Sequence, residues 1–101
     1  MRNKLLILSN LFTIIRNKKK LLPEKSYTAD LFKQGKEKIA NKVGEEAVET
    51  ISAFLLEKKD ETVEESADLI YHLFILLEYS KISIEDVCDV LESRMKEKND
   101  N

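Results

Sequence analysis

The sequence concentrates acidic residues at two places whose spacing could build a metal site. Glu45, Glu46 and Glu49 form an E-E-x-x-E pattern, in which Glu49 lies about one helical turn beyond the other two. Fifteen residues separate Glu49 from Glu65, and Asp68 follows Glu65 by three. Like charges at this spacing repel one another and are costly beside a packed core unless a cation compensates them. Oxygen-only ligands at this density suit Mg²⁺ or Mn²⁺ rather than Zn²⁺.

Both acidic clusters fall on predicted helices that should lie side by side. A turn predicted at residues 58–60 would join two antiparallel helices, with Glu49 ten residues before Lys59 and Asp68 nine after it. Carboxylates from both helices would then converge at one height, as they do in metal sites of helical bundles. A solvated acidic face is the alternative interpretation in a chain with 36% charged residues.

The apolar periodicity predicts an all-α chain of four helices with a long second helix, packing as a dimeric helical bundle. The first three helices are predicted at about residues 3–16, 26–58 and 61–79, and the fourth begins at Ser83 with a capping box to Asp86. Gly35 and Gly44 lie inside the second helix, where close packing, a kink or the approach of a ligand would explain them. Residues 69–77 are apolar nearly all round, so we expect an oligomer built on the third helix.

Length and composition limit the remaining classes of function. We expect a single all-α domain over residues 1–101, with its core at about residues 3–95. A net charge of -2 weakens a nucleic-acid interpretation, and no segment is a candidate for spanning a membrane. The single cysteine, Cys88, excludes an internal disulfide framework and is predicted to lie in the core. It suits a reducing cytoplasm, and we expect no nucleic-acid or membrane partner.

Three strings give the sequence a family resemblance. The two-part acidic motif resembles the signature of the all-α nucleoside triphosphate pyrophosphatases, the MazG-like superfamily. The strings at residues 26–32 (SYTADLF), 38–46 (KIANKVGEE) and 67–72 (ADLIYH) are similar to the phosphoribosyl-ATP pyrophosphatase branch of that superfamily. The resemblance covers about residues 5–95.

The resemblance implies hydrolysis of phosphoribosyl-ATP, a small-molecule nucleotide, to phosphoribosyl-AMP and pyrophosphate in histidine biosynthesis. It also implies an all-α, Mg²⁺-dependent, cytoplasmic enzyme that forms a homodimer or a higher oligomer. Many members carry a preceding cyclohydrolase domain, and from this chain we expect only the pyrophosphatase step.

The resemblance and the acidic spacing together assign roles to the acidic residues. Glu46, Glu49, Glu65 and Asp68 are the expected ligands of Mg²⁺, with Mn²⁺ as a substitute. Glu45 is the expected catalytic residue, either as a further ligand or as the base that orients the attacking water.

Three residues are candidates for binding the substrate. Lys42 lies one turn before the acidic pair and could bind a phosphate oxygen or simply neutralise the carboxylates. Arg16 could reach phosphate or be a surface cation. Ser26 could cap a helix, and the free backbone amides at such a cap could also hold phosphate. The residues left without an assigned chemical role are Tyr71, His72 and Arg94.

Two other functions remain open at this point. A house-cleaning pyrophosphatase of free nucleoside triphosphates would share the acidic motif, and the Ser-Tyr-Thr string argues against it only by resemblance. A non-catalytic helical dimerisation module would share the apolar periodicity, but it leaves the pairing of acidic clusters on two helices unexplained.

Overall fold

The computed structural model describes residues 3–99, which form five α-helices and no β-strand. The helices are α1 (Leu6–Leu21), α2 (Tyr27–Gln34), α3 (Lys36–Leu55), α4 (Lys59–Tyr79) and α5 (Ile84–Asn99). The prediction of an all-α chain is confirmed, and the prediction of four helices is wrong. None of the described helices is both long and apolar enough to span a bilayer.

The extra helix arises because the predicted long second helix is interrupted at Gly35. This residue adopts φ 97° and ψ -169°, a region that side chains with a Cβ rarely enter. Its N–H donates to the Leu31 carbonyl at 3.0 Å, which ends α2, and its carbonyl accepts from the Ile39 N–H at 3.2 Å, which begins α3. Gly35 therefore breaks the predicted long helix in two, as expected for a kink.

The other helix ends differ from the predicted ones by less. The first helix runs on to Leu21 and not only to residue 16, so Lys18, Lys19 and Lys20 occupy its last turn, where cations suit the helix dipole. Helix α4 begins at Lys59, before the predicted boundary. The predicted capping box at the start of α5 is confirmed: its backbone N–H groups and side chains bond reciprocally between Ser83 and Asp86, at 3.0 and 3.2 Å.

The core lies where α1, α2, α3 and α4 meet. Phe12 of α1 packs edge-on against Phe74 of α4, with ring centroids 5.4 Å apart. Burial of apolar side chains of this size is the main favourable contribution to folding. The buried apolar residues of this cluster are Phe12, Ile15, Leu31, Ile39, Phe74, Ile75 and Leu77.

Several apolar side chains are exposed. On the second half of α3, Ile51 and Phe54 are 56% and 67% exposed. Cys88 on α5 is also exposed, so the prediction that it lies in the core is wrong. The chain itself covers most of the apolar run of α4, although Leu73 remains 39% exposed. The packing of two copies as a bundle stays a prediction.

Helices α3 and α4 form an antiparallel hairpin with the most extensive contact between any two of the helices. The connection of residues 56–58 between them is short, so positions equally far from it face one another. This hairpin carries both acidic clusters.

Candidate active site

The α3–α4 hairpin brings three acidic side chains together. One carboxylate oxygen from each of Glu46, Glu49 and Glu65 lies within 4.8 Å of the corresponding oxygens of the other two. The sequence predicted that carboxylates from the two helices would meet here, but its counting put Glu49 level with Asp68 and not with Glu65. Asp68 lies one turn beyond Glu65 on α4, outside this group of three, and its side chain is exposed.

Two oxygens of the cluster are buried without a donor. Glu46 is only 8% exposed, although it carries a charged group, and it is one of the buried residues of α3. Within residues 3–99, neither Glu46 Oε2 nor Glu65 Oε2 has a hydrogen-bond partner. A buried carboxylate oxygen that receives no hydrogen bond is costly, so both atoms are available to a cation.

Burial and the repulsion between neighbouring carboxylates raise the pKa values of two residues in this cluster. Burial, followed by the charges of Glu49 and Asp68, raises the pKa of Glu46 above its ordinary value. A hydrogen bond to Glu49, which Glu65 can donate once it is protonated, raises the pKa of Glu65 to about 7. Burial and the neighbouring carboxylates add to that rise. Near pH 7 Glu65 is therefore partly protonated, and a divalent cation bound by its carboxylate would displace that proton.

The donor set fits Mg²⁺. Every ligand atom is a carboxylate oxygen, which hard divalent cations prefer. Mg²⁺ holds its ligands at about 2.1 Å, so two oxygens on opposite sides of the ion are about 4.2 Å apart. A spacing within 4.8 Å is close to that limit and needs only small rotations of flexible side chains.

Lys42 and Glu45 lie on α3 at the rim of this cluster. Lys42 Nζ lies 3.3 Å from Glu45 Oε2, one helical turn away, and the Glu45 side chain is exposed. This hydrogen bond and the neighbouring Tyr27 raise the pKa of the Lys42 ammonium. The pair presents one cation and one carboxylate beside the acidic cluster.

An open concavity of about 550 Å³ runs along α3 next to these residues. Its volume is in the range of clefts that bind small molecules, although it is wide open to solvent. Gly44 forms part of its wall, and nothing lies within 4 Å of the position that a Cβ would take there. The lining residues are Ala40, Asn41, Gly44, Glu45, Val48 and Glu49.

The remaining two predicted substrate residues have structural partners. Ser26 is the N-cap of α2, and its side-chain oxygen accepts the Ala29 N–H at 3.1 Å. Arg16 Nε lies 3.6 Å from Glu78 Oε2, and its guanidinium stacks over the Phe12 ring. Because Glu78 follows Glu65 by 13 residues on α4, Arg16 lies about 20 Å along that helix from the acidic cluster.

Helices α2 and α4 share a set of side-chain contacts that the sequence pattern does not predict. Tyr27 Oη lies 2.8 Å from His72 Nε2, and Thr28 Oγ1 is hydrogen-bonded to Tyr71 Oη. The rings of Tyr27 and Tyr71 stack with centroids 6.3 Å apart. The signal was present in the Ser-Tyr-Thr and Tyr-His strings, but pairing over more than 40 residues has no local periodicity.

The comparison with known families shows to which family the chain belongs. A model of the family described as phosphoribosyl-ATP pyrophosphohydrolase matches residues 8–95. The chain belongs to this family. It is therefore an enzyme of the class that hydrolyses a phosphoanhydride bond.

Members of the phosphoribosyl-ATP pyrophosphohydrolase family resemble the chain over most of its length. The phosphoribosyl-ATP pyrophosphatase of Metallosphaera sedula is 50% identical over 90 residues, which are 89% of this chain and 97% of that protein. That of Paramagnetospirillum magneticum is 59% identical over 70 residues, 69% of this chain and 64% of the relative. The histidine biosynthesis bifunctional protein HisIE of Thermotoga maritima is 45% identical over 86 residues, 85% of this chain but 44% of that protein.

Proposed function

We propose that this protein hydrolyses phosphoribosyl-ATP to phosphoribosyl-AMP and pyrophosphate in histidine biosynthesis, with Mg²⁺ as its cofactor. Relatives that are named phosphoribosyl-ATP pyrophosphatase and are 44–59% identical support the substrate. The main support for a metal cofactor is a pair of buried carboxylate oxygens, Glu46 Oε2 and Glu65 Oε2. Neither has a hydrogen-bond partner within residues 3–99.

In this proposal Glu46, Glu49, Glu65 and Asp68 hold the ion, and Mn²⁺ can replace it. The first three already bring oxygens within 4.8 Å of one another. Asp68 contributes negative charge from the next turn, because its carboxylate raises the pKa of both Glu46 and Glu65. When bound, Mg²⁺ neutralises phosphate charge and makes the phosphorus more electrophilic.

Of the two residues at the rim, Lys42 binds phosphate and Glu45 accepts the proton of the attacking water. Lys42 binds a phosphate oxygen of the substrate, and this contact draws its ammonium away from Glu45, its partner at 3.3 Å. Glu45 is then free to orient the attacking water and to accept its proton. The water oxygen forms a bond to phosphorus, the bridging P–O bond between the α and β phosphates breaks, and pyrophosphate leaves.

Ser26 and Arg16 stay candidates for phosphate contacts. The Ser26 side chain is engaged as the cap of α2, so any contact would come from the free amides of the first turn of that helix. Arg16 is engaged by Glu78 at 3.6 Å, and a phosphate would have to compete with that carboxylate.

We also propose that the chain works as one all-α domain, with its core at residues 3–95, in the cytoplasm. We propose a homodimer or a higher homo-oligomer with no nucleic-acid or membrane partner. The large exposed apolar side chains of α3 support association, since contiguous patches of this kind mark protein contacts. They are Val48, Ile51, Phe54 and Leu55.

Pyrophosphate release is the experiment that tests the proposed function. The metal-free protein is assayed with phosphoribosyl-ATP, ATP and dCTP, each with Mg²⁺ and with a chelator. The proposal predicts release from phosphoribosyl-ATP, only with the metal, at a rate well above the other two substrates. Equal rates on all three would indicate a house-cleaning pyrophosphatase, and no release from any would favour a helical module.

A further inference from the structure

We infer that the exposed face of the Tyr27 ring is a purine platform, on which the base of phosphoribosyl-ATP stacks, and that this contact favours that base over the base of ATP. The inference rests on the proposed function, because it assigns a subsite to the base of the proposed substrate. The residues proposed so far bind the metal and the phosphates, and none of them binds the base.

Tyr27 is an exposed aromatic side chain that is nevertheless held in one orientation. It is 51% exposed in the first turn of α2. Its hydroxyl is hydrogen-bonded to His72 Nε2 at 2.8 Å, and its ring stacks on the Tyr71 ring with centroids 6.3 Å apart. Because Tyr71 covers one face of the phenol ring, the opposite face is the one left open to a ligand.

The Tyr71 ring behind the purine platform is also fixed. Its hydroxyl is hydrogen-bonded to Thr28 Oγ1, which joins α4 to α2 beside the Tyr27–His72 bond. A ring that is already held in place loses little conformational freedom when a ligand stacks on it, so more of the contact energy appears as affinity.

The purine platform lies next to the acidic cluster. His72 Nδ1 is 2.8 Å from the main-chain oxygen of Asp68, so a single imidazole ring separates the Tyr27 hydroxyl from the turn of α4 that carries Asp68. His72 follows Glu65 by seven residues, or about 10 Å along the helix. A nucleotide spans a distance of this order between its base and the phosphates that the metal would hold, because the ribose lies between them.

The base of phosphoribosyl-ATP differs from that of ATP in its charge. A ribosyl substituent on the N1 nitrogen makes adenine a stronger base, and the protonated form spreads a positive charge over the ring system. An aromatic face stacks on any base and attracts a cationic one in addition. The carboxylates of the neighbouring cluster also favour a positive ring. The neutral adenine of ATP gains the stacking without the attraction between charges.

The first arm of the test measures binding without turnover. The probes are AMP and 1-methyladenosine 5′-monophosphate, in which a methyl group on N1 gives the purine the same positive charge. By calorimetry the wild type should bind the methylated nucleotide more tightly than AMP. Tyr27→Leu should weaken binding of the methylated nucleotide about tenfold, the scale of losing one stacked base. Tyr27→Phe should keep the wild-type preference, because it keeps the ring and loses only the bond to His72.

The matched control is Tyr79→Leu, which removes another exposed tyrosine at the last residue of α4. It should bind both nucleotides as the wild type does. Binding by Tyr27→Leu that equals the wild type would overturn the inference. Binding by Tyr27→Phe that is as weak as in Tyr27→Leu would also overturn it, since the hydroxyl link between α2 and α4 would then be what matters.

The second arm observes the wild type, so that it does not depend on how Tyr27→Leu folds. In proton NMR spectra the ring resonances of Tyr27, assigned by their loss in Tyr27→Phe, should move upfield when the methylated nucleotide is added, and those of Tyr79 should not. An unshifted Tyr27 ring in a wild type that hydrolyses phosphoribosyl-ATP would overturn the purine platform alone. A shifted Tyr27 ring in a wild type that does not hydrolyse phosphoribosyl-ATP would overturn the proposed function alone.

Discussion

Glu46 on α3 and Glu65 on α4 hold carboxylate oxygens within 4.8 Å of each other across the hairpin. Oε2 of each residue is buried, and no described residue donates a hydrogen bond to it. Two like charges facing each other between packed helices oppose folding when both are ionised. The metal-free protein therefore stores repulsion at the place where a cation would relieve it.

The first prediction concerns pH. The pKa of Glu65 is about 7 in the folded chain against 4.5 ordinarily, so the native state holds a proton that the unfolded chain has lost between these values. The contribution of Glu65 to the free energy of unfolding is then fully present below pH 4.5, and it is lost as pH rises through 7. The raised pKa of Glu46 acts in the same direction. Urea midpoints of the chelator-treated protein should fall steadily from about pH 5 to about pH 8.

Two variants control this measurement. Glu65→Gln removes the titrating group, and the slope with pH should flatten. Glu64→Gln, an exposed neighbour on the same helix, should keep the wild-type slope. A wild type whose midpoint rises over this range would show that the cluster is not strained by its charge.

The second prediction compares the chain's two glycines, which should respond to alanine with opposite signs. Gly35 at φ 97° is strained by any Cβ, so Gly35→Ala should cost about 1–3 kcal/mol of unfolding free energy. Gly44 is helical with open space around its Cβ position, so Gly44→Ala should gain up to about 1 kcal/mol. Chemical denaturation of both variants measures this, and a loss at Gly44 would mean that something packs there.

The third prediction concerns association. Leu73 of α4 is 39% exposed beside a groove of about 380 Å³ between α1, α4 and α5. Sedimentation should show an oligomer at micromolar concentration, and Leu73→Gln should weaken it, because an unpaired amide at an interface costs about 1–3 kcal/mol. Lys33→Gln, at an exposed position on α2, is the control. A stable, folded wild-type monomer would contradict this account.

The sequence predicted the all-α class and the pairing of two acidic helices, but neither the number of helices nor the exact register of the carboxylates. Counting residues on either side of a short turn put Glu49 level with Asp68, whereas the structure groups Glu49 with Glu46 and Glu65 and leaves Asp68 one turn beyond. The break between α2 and α3 at Gly35 could not be predicted from the sequence pattern. The apolar stripe continues across it, and residue spacing does not reveal the sign of φ.

Tertiary partners account for the other differences. Phe54 fits a helical stripe, but periodicity cannot tell whether a face packs on its own chain, and the residue is 67% exposed. The bond from Tyr27 to His72 joins residues 45 apart in sequence, and it depends on how α2 packs against α4. Arg16 was a candidate for phosphate on its charge alone, and its neighbour Glu78 lies on another helix.

The last prediction concerns the acidic cluster itself. Glu46→Gln, Glu49→Gln and Asp68→Asn each keep the size of a side chain and remove its charge. Without added metal, the unfolding temperature of each should stay constant or rise, because repulsion is relieved. On adding Mg²⁺, the wild type should gain stability and the variants should gain less, since a ligand of the native state stabilises it by mass action.

The most direct measurement of the central claim is pyrophosphate release from phosphoribosyl-ATP, in saturating Mg²⁺, by the wild type, Glu46→Gln and the control Glu64→Gln. Glu46→Gln should lose at least about 10²-fold in kcat, or about 2.7 kcal/mol of barrier, as for loss of one main electrostatic stabiliser. Glu64→Gln should match the wild type. Wild-type turnover by Glu46→Gln, with the wild-type response to Mg²⁺, would contradict the assignment of the α3–α4 cluster as the metal site.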